Sequence, residues 1–425
     1  MSTPNSILLT TKSELCTGCG VCEDVCNKHC ILIKQSNDTF RPIVHEAECS
    51  NCGRCLKVCP GVGINFEKHT DTSPVLFDKY IGYYNTLYTG YTLDNDIRFH
   101  SASGGMVSQF LIYLLEKKIV DGAVVTGFND DHITPRSYIA RNKEEVIAAR
   151  SSKYCPVSLN KVGNEIANSD GKFVIVGLPC HIQGFRKRME IDKRFKEHVA
   201  GLFAIYCSSG RTFGARDFLL KHYKIEKKNI DYFAFRDNGC LGNLTIKEHS
   251  TSTTDIGRRE LQIPYVQYYG KILRSFFKSH RCLSCIDHYG QLADISFGDI
   301  HISPYSDDKI GISSIIVRSQ FWNKVLHNAV ADGYCHLDHL DTDTLNKSQA
   351  DMLYPKMSRA KATMQLNSLL LKRNPVYDID FSKVKCSIKD YLHIISTRMQ
   401  IFVGRHRRLW FLIEWLSNIN NNKNE

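Results

Sequence analysis

Apolar residues recur at helical spacing in the first third of the chain. Met106, Val107, Phe110, Leu111, Leu114 and Leu115 fall on one face and predict an amphipathic helix over 104–117. Short continuous apolar runs follow it. Ala123-Val124-Val125-Thr126, Phe173-Val174-Ile175-Val176, Leu202 to Tyr206, and 230–236, 293–298 and 313–318 have the length and β-branched content of strands. Between them, 213–223 and 320–331 read as helices, as does a basic stretch through Arg186 and Arg188. Strands alternating with helices specify an α/β layer fold, with the strand order left open.

The first 66 residues break that rhythm. Ile31-Leu32-Ile33 and Gly63 to Phe66 read as short strands, each following a run of cysteines. Cys16, Cys19, Cys22 and Cys26 are spaced C-x2-C-x2-C-x3-C, and Cys49, Cys52, Cys55 and Cys59 repeat the spacing. Three thiolates on one tight loop cap three irons of a cubane, and the fourth, one helical turn on, reaches the neighbouring cluster. This assigns Cys16, Cys19, Cys22 and Cys59 to one [4Fe-4S] cluster and Cys26, Cys49, Cys52 and Cys55 to a second. Gly18, Gly20 and Gly53 suit loops whose amides approach sulfide closely. A zinc site shows pairs of cysteines rather than two matched runs of four, and a disulfide framework belongs to secreted chains. Proline follows the last cysteine of the second run (Pro60) but Asn27 follows that of the first, a change that removes no ligand. Cys30, just beyond, reads as a spare buried thiol.

Composition narrows the setting. The chain has 425 residues, 43% hydrophobic and 23% charged, which is ordinary for a globular protein of two or three domains. Its organisation reads as a ferredoxin-like module over 1–66, a linker over 67–80 marked by Asp71, Thr72, Ser73 and Pro74, a large α/β unit over 81–345, and a helical extension over 346–425. Seventeen cysteines without a signal peptide or an 18-residue apolar run point to a reducing cytosol and no transmembrane span. A net charge of +11 favours acidic partners or anionic substrates, and no nucleic-acid motif accompanies it. Lys271, Arg274, Lys278 and Arg281 are candidates for steering an acidic redox partner.

Outside the module, Cys282 and Cys285 form a lone C-x2-C, while Cys180 and Cys207 each close a predicted strand. Open α/β sheets place ligands at that edge. These four thiols either converge on a third [4Fe-4S] cluster or are buried thiols with one redox pair. Cys155, Cys240, Cys335 and Cys386 show no pairing and read as core residues.

Ser101-Ala102-Ser103-Gly104-Gly105, Ser152-Lys153-Tyr154, Gly177-Leu178-Pro179-Cys180, Cys282-x-x-Cys285 and Ala293 to Asp299, with Phe235-Arg236-Asp237 and Ser314 to Arg318, resemble the coenzyme F420 hydrogenase/dehydrogenase beta subunit family from about residue 80 to 345. The resemblance implies one FAD and one [4Fe-4S] cluster in the large unit, the cluster ligands matching Cys180, Cys282, Cys285 and Cys207. Within it, Ser103, Gly104 and Gly105 open a helix and suit a flavin phosphate or serve as a plain cap. Lys153 and Arg318 pair either with flavin phosphates and substrate carboxylates or with solvent. Asp294 and Asp299 either contact the flavin or cap turns. Ser152 stands where the family usually has Gly, and His181 where it has Gln. His181 either tunes the adjacent cluster, donates a proton, or faces solvent on its helix.

No catalytic residue stands out. Iron–sulfur clusters carry one electron at a time and flavins convert to two-electron traffic, so the expected function is an oxidoreductase wire. It would link a ferredoxin-like or deazaflavin partner through the clusters and FAD to a two-electron substrate. The alternatives are an electron-transfer subunit with no substrate site and a non-redox binding protein with structural clusters. In the extension, Tyr391, Ile394, Ile395, Met399, Phe402 and Val403 recur at helical spacing ahead of Arg405-His406-Arg407-Arg408 and Trp410-Phe411. This segment either packs on the domain or contacts an anionic membrane surface. Asn418 to Glu425 reads as a frayed end.

Overall fold

A computed structural model describes residues 5–36, 38–70, 76–249 and 259–421. In the N-terminal segment β1 (Ile31–Ser36) and β2 (Thr39–Val44) form an antiparallel hairpin. Each three-cysteine loop runs into a single helical turn, Val21–Asp24 and Arg54–Lys57. Gly63–Ile64 is a strand as expected, but Phe66 opens a short helix capped by the Asn65 side chain rather than extending it. Asp71 to Pro74 of the expected linker lies outside the described residues.

The remainder is a mixed α/β structure around an eight-stranded sheet. Its elements in chain order begin with β3 (Thr86–Thr92), α1 (Met106–Glu116), β4 (Gly122–Phe128), β5 (Pro135–Ala140), β6 (Phe173–Gly177), α2 (Pro179–Ile191), β7 (Val199–Ile205) and α3 (Phe213–His222). They continue with β8 (Ile230–Asp237), β9 (Asn243–Glu248), β10 (Arg259–Pro264), β11 (Ile295–Asp299), β12 (Ser313–Val317), α4 (Gln320–Ala331) and β13 (Cys335–His339). The sheet order is β13-β3-β12-β11-β7-β6-β4-β5. The four strands β11, β7, β6 and β4 run parallel, with antiparallel strands on both flanks. Central parallel strands are covered on both faces, which explains their unbroken apolar runs. The expected strand 230–236 forms, yet it leaves the main sheet and joins β9 and β10 in a separate antiparallel sheet.

One face is covered by α1 and α4, where Phe110 packs against Phe203, Phe297 and Trp322. The other is covered by α2, whose Ile182 and Phe185 meet Ile175 and Leu202 together with Val21, Val25 and Val58 of the cysteine segment. The cysteine segment is thus part of the second core layer. A buried ion pair fixes it there: Arg188 on α2 donates to Asp24 at 3.1 Å, and Asp24 also accepts from the Lys161 and Gly163 amides at 2.7 and 3.0 Å.

The C-terminal extension adds α5 (Lys356–Leu369), α6 (Ile388–Arg405) and α7 (Trp410–Asn421). Among the described residues no helix is long and apolar enough to cross a membrane. Of the two readings of this segment, Trp410 follows packing on the domain: it is buried among Phe218 and Phe277. The expected fraying from Asn418 does not occur through Asn421, which is helical, and 422–425 lie outside the described residues. Cys155 and Cys335 are core residues as expected, whereas Cys240 and Cys386 are only half-buried.

Removing one partner of a buried ion pair strands the other in low dielectric. Arg188→Met is therefore expected to cost about 3–5 kcal/mol of stability, measured by denaturant unfolding.

Candidate functional site

The thiols gather in three sets. Gly20 (φ +89) and Gly53 (φ +73) hold left-handed backbone that turns each loop into its helix. A Cβ on Gly20 would also meet the Asn160 amide nitrogen at 2.6 Å. Burial pushes the Cys16 thiol up to about 12 and that of Cys19 to about 11, with Cys59 the next influence on both. Cys22 is raised by burial and then by Cys19, Cys16 and Cys59. Gly18 N–H donates to Cys16 Sγ at 3.4 Å and Gly61 N–H to Cys59 Sγ at 3.3 Å. These four side chains also line one small cavity.

In the second set burial raises Cys55, with Cys26 and Cys52 adding to it. Cys52 is exposed and lowered, chiefly by the Arg54 amide. Cys30 is buried 3.4 Å from Cys26 Sγ, so it is a thiol beside the set rather than remote from it.

In the third set Cys180 is the second residue of α2, Cys207 lies just beyond β7, and Cys282 and Cys285 flank the turn after His280. Burial raises Cys180 well above its ordinary value, and the neighbours that raise it further are Cys19, Cys207, Cys282 and Cys285. Cys180 is thus influenced by the other three thiols of this set and by Cys19 of the first. Gly210 N–H donates to Cys282 Sγ at 3.2 Å. Arg281 is buried and donates to the Pro60 and Gly61 carbonyls, both at 3.1 Å, so it ties two cysteine segments together and cannot steer a partner from the surface. Among the described residues no three His, Cys, Asp or Glu side chains close on a single-ion centre. The donor sets are all thiol with backbone N–H groups directed at sulfur, which fits cubane ligation with one iron per thiolate.

A cavity of about 310 Å³ opens at the C-terminal edge of β4, β6, β7 and β11, within the size range of ligand sites. Ser103 and Gly105 line it at the start of α1. The cap residue of α1 is Gly105 (φ +73), which has no side chain to cap the helix, and nearby Ser103 bonds Ser313 at 2.9 Å. The helix amides thus lack a side-chain acceptor, as an anion site requires. Gly104 does not line the cavity; a Cβ there would meet Gly90 O at 2.5 Å and Ser313 N at 2.7 Å.

Lys153 lines the cavity, but its three protons go to the carbonyls of Ala149 and Arg150, each at 2.6 Å, and of Ser151 at 3.1 Å. Burial pushes its pKa down to about 7, and those carbonyls favour the charged amine against it. Asp299 lines the cavity and accepts from Arg236 at 2.6 Å. Asp294 and Arg318 do not line it. Asp294 accepts from the Leu202 amide at 2.7 Å and from Arg186 at 3.3 Å, and Arg318 donates to Ser296 at 2.7 Å and Ile81 O at 3.2 Å. Both tie strands together.

His181 lines the cavity buried, not facing solvent. Its Nδ1 accepts from the Leu178 amide at 3.2 Å and its Nε2 faces Val157 O at 3.3 Å, which assigns the proton to Nε2. Burial pushes it down to about 4. Sequence reasoning missed the aromatic wall: Tyr265 and Tyr269 stack at 4.8 Å and Tyr154 lies 4.6 Å from Tyr269. The i,i+4 tyrosines on the π-helix Val266–Leu273 and its entry were the available signal. It also missed His288 Nδ1 and Ser209 Oγ, buried at the cavity with no hydrogen-bond partner among the described residues.

Gly104→Ala is expected to cost about 1–3 kcal/mol by forcing α1 away from β3 and β12, read as a lower unfolding midpoint.

Comparison with known proteins assigns the chain segment by segment. Residues 87–163 and 170–343 match the N-terminal and C-terminal parts of the coenzyme F420 hydrogenase/dehydrogenase beta subunit, and residues 15–63 match a 4Fe-4S dicluster domain. The chain is 26% identical over 326 residues to a coenzyme F420-dependent sulfite reductase of Methanocaldococcus jannaschii, covering 72% of this chain and 45% of that protein. It therefore spans less than half of that relative's length. It is 22% identical over 270 residues to the coenzyme F420 hydrogenase subunit beta of Methanosarcina barkeri, covering 60% of this chain and 82% of that subunit. A chain of the xenon-derivatised F420-reducing [NiFe] hydrogenase complex of Methanosarcina barkeri shares the fold, with a TM-score of 0.54 and 20% identity over 70% of this chain and 96% of that one. The cysteine loops, the sheet edge with its cavity and these matches together make the chain a member of the coenzyme F420 hydrogenase/dehydrogenase beta subunit family carrying a 4Fe-4S dicluster domain.

Proposed function

We propose that this chain is a cytoplasmic iron–sulfur flavoprotein oxidoreductase with three [4Fe-4S] clusters and one FAD. It exchanges electrons with a ferredoxin-like protein or deazaflavin coenzyme and acts on a two-electron substrate. The observation that carries this reading is the third thiol set: Cys180 adjoins Cys19 of the first set, while Cys207 is itself part of the cavity wall. The clusters and flavin, when bound, supply one-electron transfer and its conversion to two-electron chemistry.

The chain's own residues bind, orient and exclude water. The α1 amides suit phosphate oxygens, Arg236 is held by Asp299 and the Leu241 and Ala102 carbonyls, and the Tyr265–Tyr269 stack offers a flat apolar wall for a ring. Gln349 donates to Asp299 O at 2.9 Å, so its own oxygen faces His288 Nε2 at 3.2 Å. That keeps the His288 proton on Nε2 and leaves Nδ1 as an acceptor. Burial holds His288 near 3 and His181 near 4, so both stay neutral and neither is a proton donor of choice at neutral pH.

A second reading, an electron-transfer subunit without its own substrate site, is favoured by the relatives that are hydrogenase subunits. Turnover by the isolated chain separates the two. The purified native chain is expected to hold about twelve irons, four per cubane, and one releasable FAD. Cys282→Ala is expected to lose about four of those irons. Eight irons and no flavin in the native chain would sink the proposal.

Contact with an anionic membrane surface would use α6, where Ile388, Leu392, Ile395, Met399 and Phe402 form an exposed apolar row beside Lys385, Lys389 and Arg408. Met399→Asp with Phe402→Asp is expected to abolish co-sedimentation with anionic vesicles; unchanged partitioning would exclude that contact.

A further inference from the structure

The family match ends at residue 343, yet the extension beyond it packs on the third thiol set. Lys356, the first residue of α5, donates to the carbonyls of Cys207 at 3.4 Å and Ser208 at 3.1 Å. Tyr377 OH donates to Ser284 O, within the Cys282–Cys285 loop, at 2.8 Å. Val376–Tyr377 pairs with Gly63–Ile64, four residues past Cys59. The extension is therefore a strap across two cysteine segments.

Lys356 is half-buried, and no carboxylate pairs with it among the described residues. Of the other cations here, Arg281 spends its guanidinium on the Pro60 and Gly61 carbonyls, while Lys278 also lies beside Cys282 and Lys356. Lys356 stands in the first turn of α5, at its positive end. We propose that Lys356 is a positioning residue that raises the reduction potential of the cluster held by Cys180, Cys207, Cys282 and Cys285. This rests on the reading that those four thiols ligate a [4Fe-4S] cluster.

Uptake of one electron by a cubane, from whichever one-electron partner the chain serves, adds one negative charge and needs no proton. A cation held against the ligand backbone favours the reduced form, and in a buried site salt screens it little. Cluster potentials respond to net charge and to hydrogen bonds around the sulfurs.

The test is a redox titration followed by electron paramagnetic resonance on anaerobically purified full chain, Lys356→Met and Lys356→Arg. Iron is counted first, and the third cluster is identified as the signal missing in Cys282→Ala. The expected result is full iron in both variants, with that one signal reduced at lower potential in Lys356→Met and near the native value in Lys356→Arg. The other two signals stay in place. Full iron with an unmoved third signal overturns the role of Lys356 and leaves the cluster standing. Loss of about four irons in both variants overturns it too, making Lys356 a structural strut. A native chain lacking the third signal sinks the cluster reading itself, which is a different failure.

Discussion

Asp24 and Arg188 sit at the seam between the cysteine segment and the sheet, with both side chains only 1% exposed. Two charges that far from water are tolerable only if every hydrogen-bonding position is used. Asp24 takes two amides and the guanidinium, and Arg188 also serves Asn164 and Asp192. The pair fixes α2 against the helix carrying Cys22. Because Cys180 is on the same α2, the seam also sets the distance between the first and third thiol sets. A neutral, slippery contact between these layers would leave that spacing free to drift.

The sulfur-rich interior poses an electrostatic problem that the fold answers with backbone and cations. Most of these thiols are raised by burial, so deprotonation for ligation must be supported from outside the thiol set. Amides of Gly18, Gly61 and Gly210 point at sulfur. Lys187 reaches the Cys59 and Gly63 carbonyls, and Arg281 and Lys356 reach their neighbours. Positive charge that looks superfluous in the composition is in part committed inward.

The sequence was legible where chemistry imposes spacing. Two matched cysteine runs need no tertiary information, and alternating apolar runs named the strands and helices of the α/β layers. It was illegible where partners come from far along the chain. Asp294 and Arg318 sit in motifs beside the cavity, yet their partners, Leu202 and Arg186 for one and Ser296 and Ile81 for the other, turn them inward. Trp410 carried the right composition for a membrane face, and a pocket made by Phe218 and Phe277 claimed it. The aromatic wall escaped because Tyr265 and Tyr269 become a surface only when Tyr154, from a distant loop, meets them. Strand 230–236 could be named but not placed, since its apolar run suits either sheet.

The pairing of Val376–Tyr377 with Gly63–Ile64 joins stretches more than three hundred residues apart. Synthesis from the N-terminus completes the first two thiol sets once Cys59 has emerged, and the third only with Cys285. The strap that crosses them cannot close until later still. Long-range closure of this kind is slow, so the Cys16–Cys59 segment is complete in the chain well before the strap can cross it.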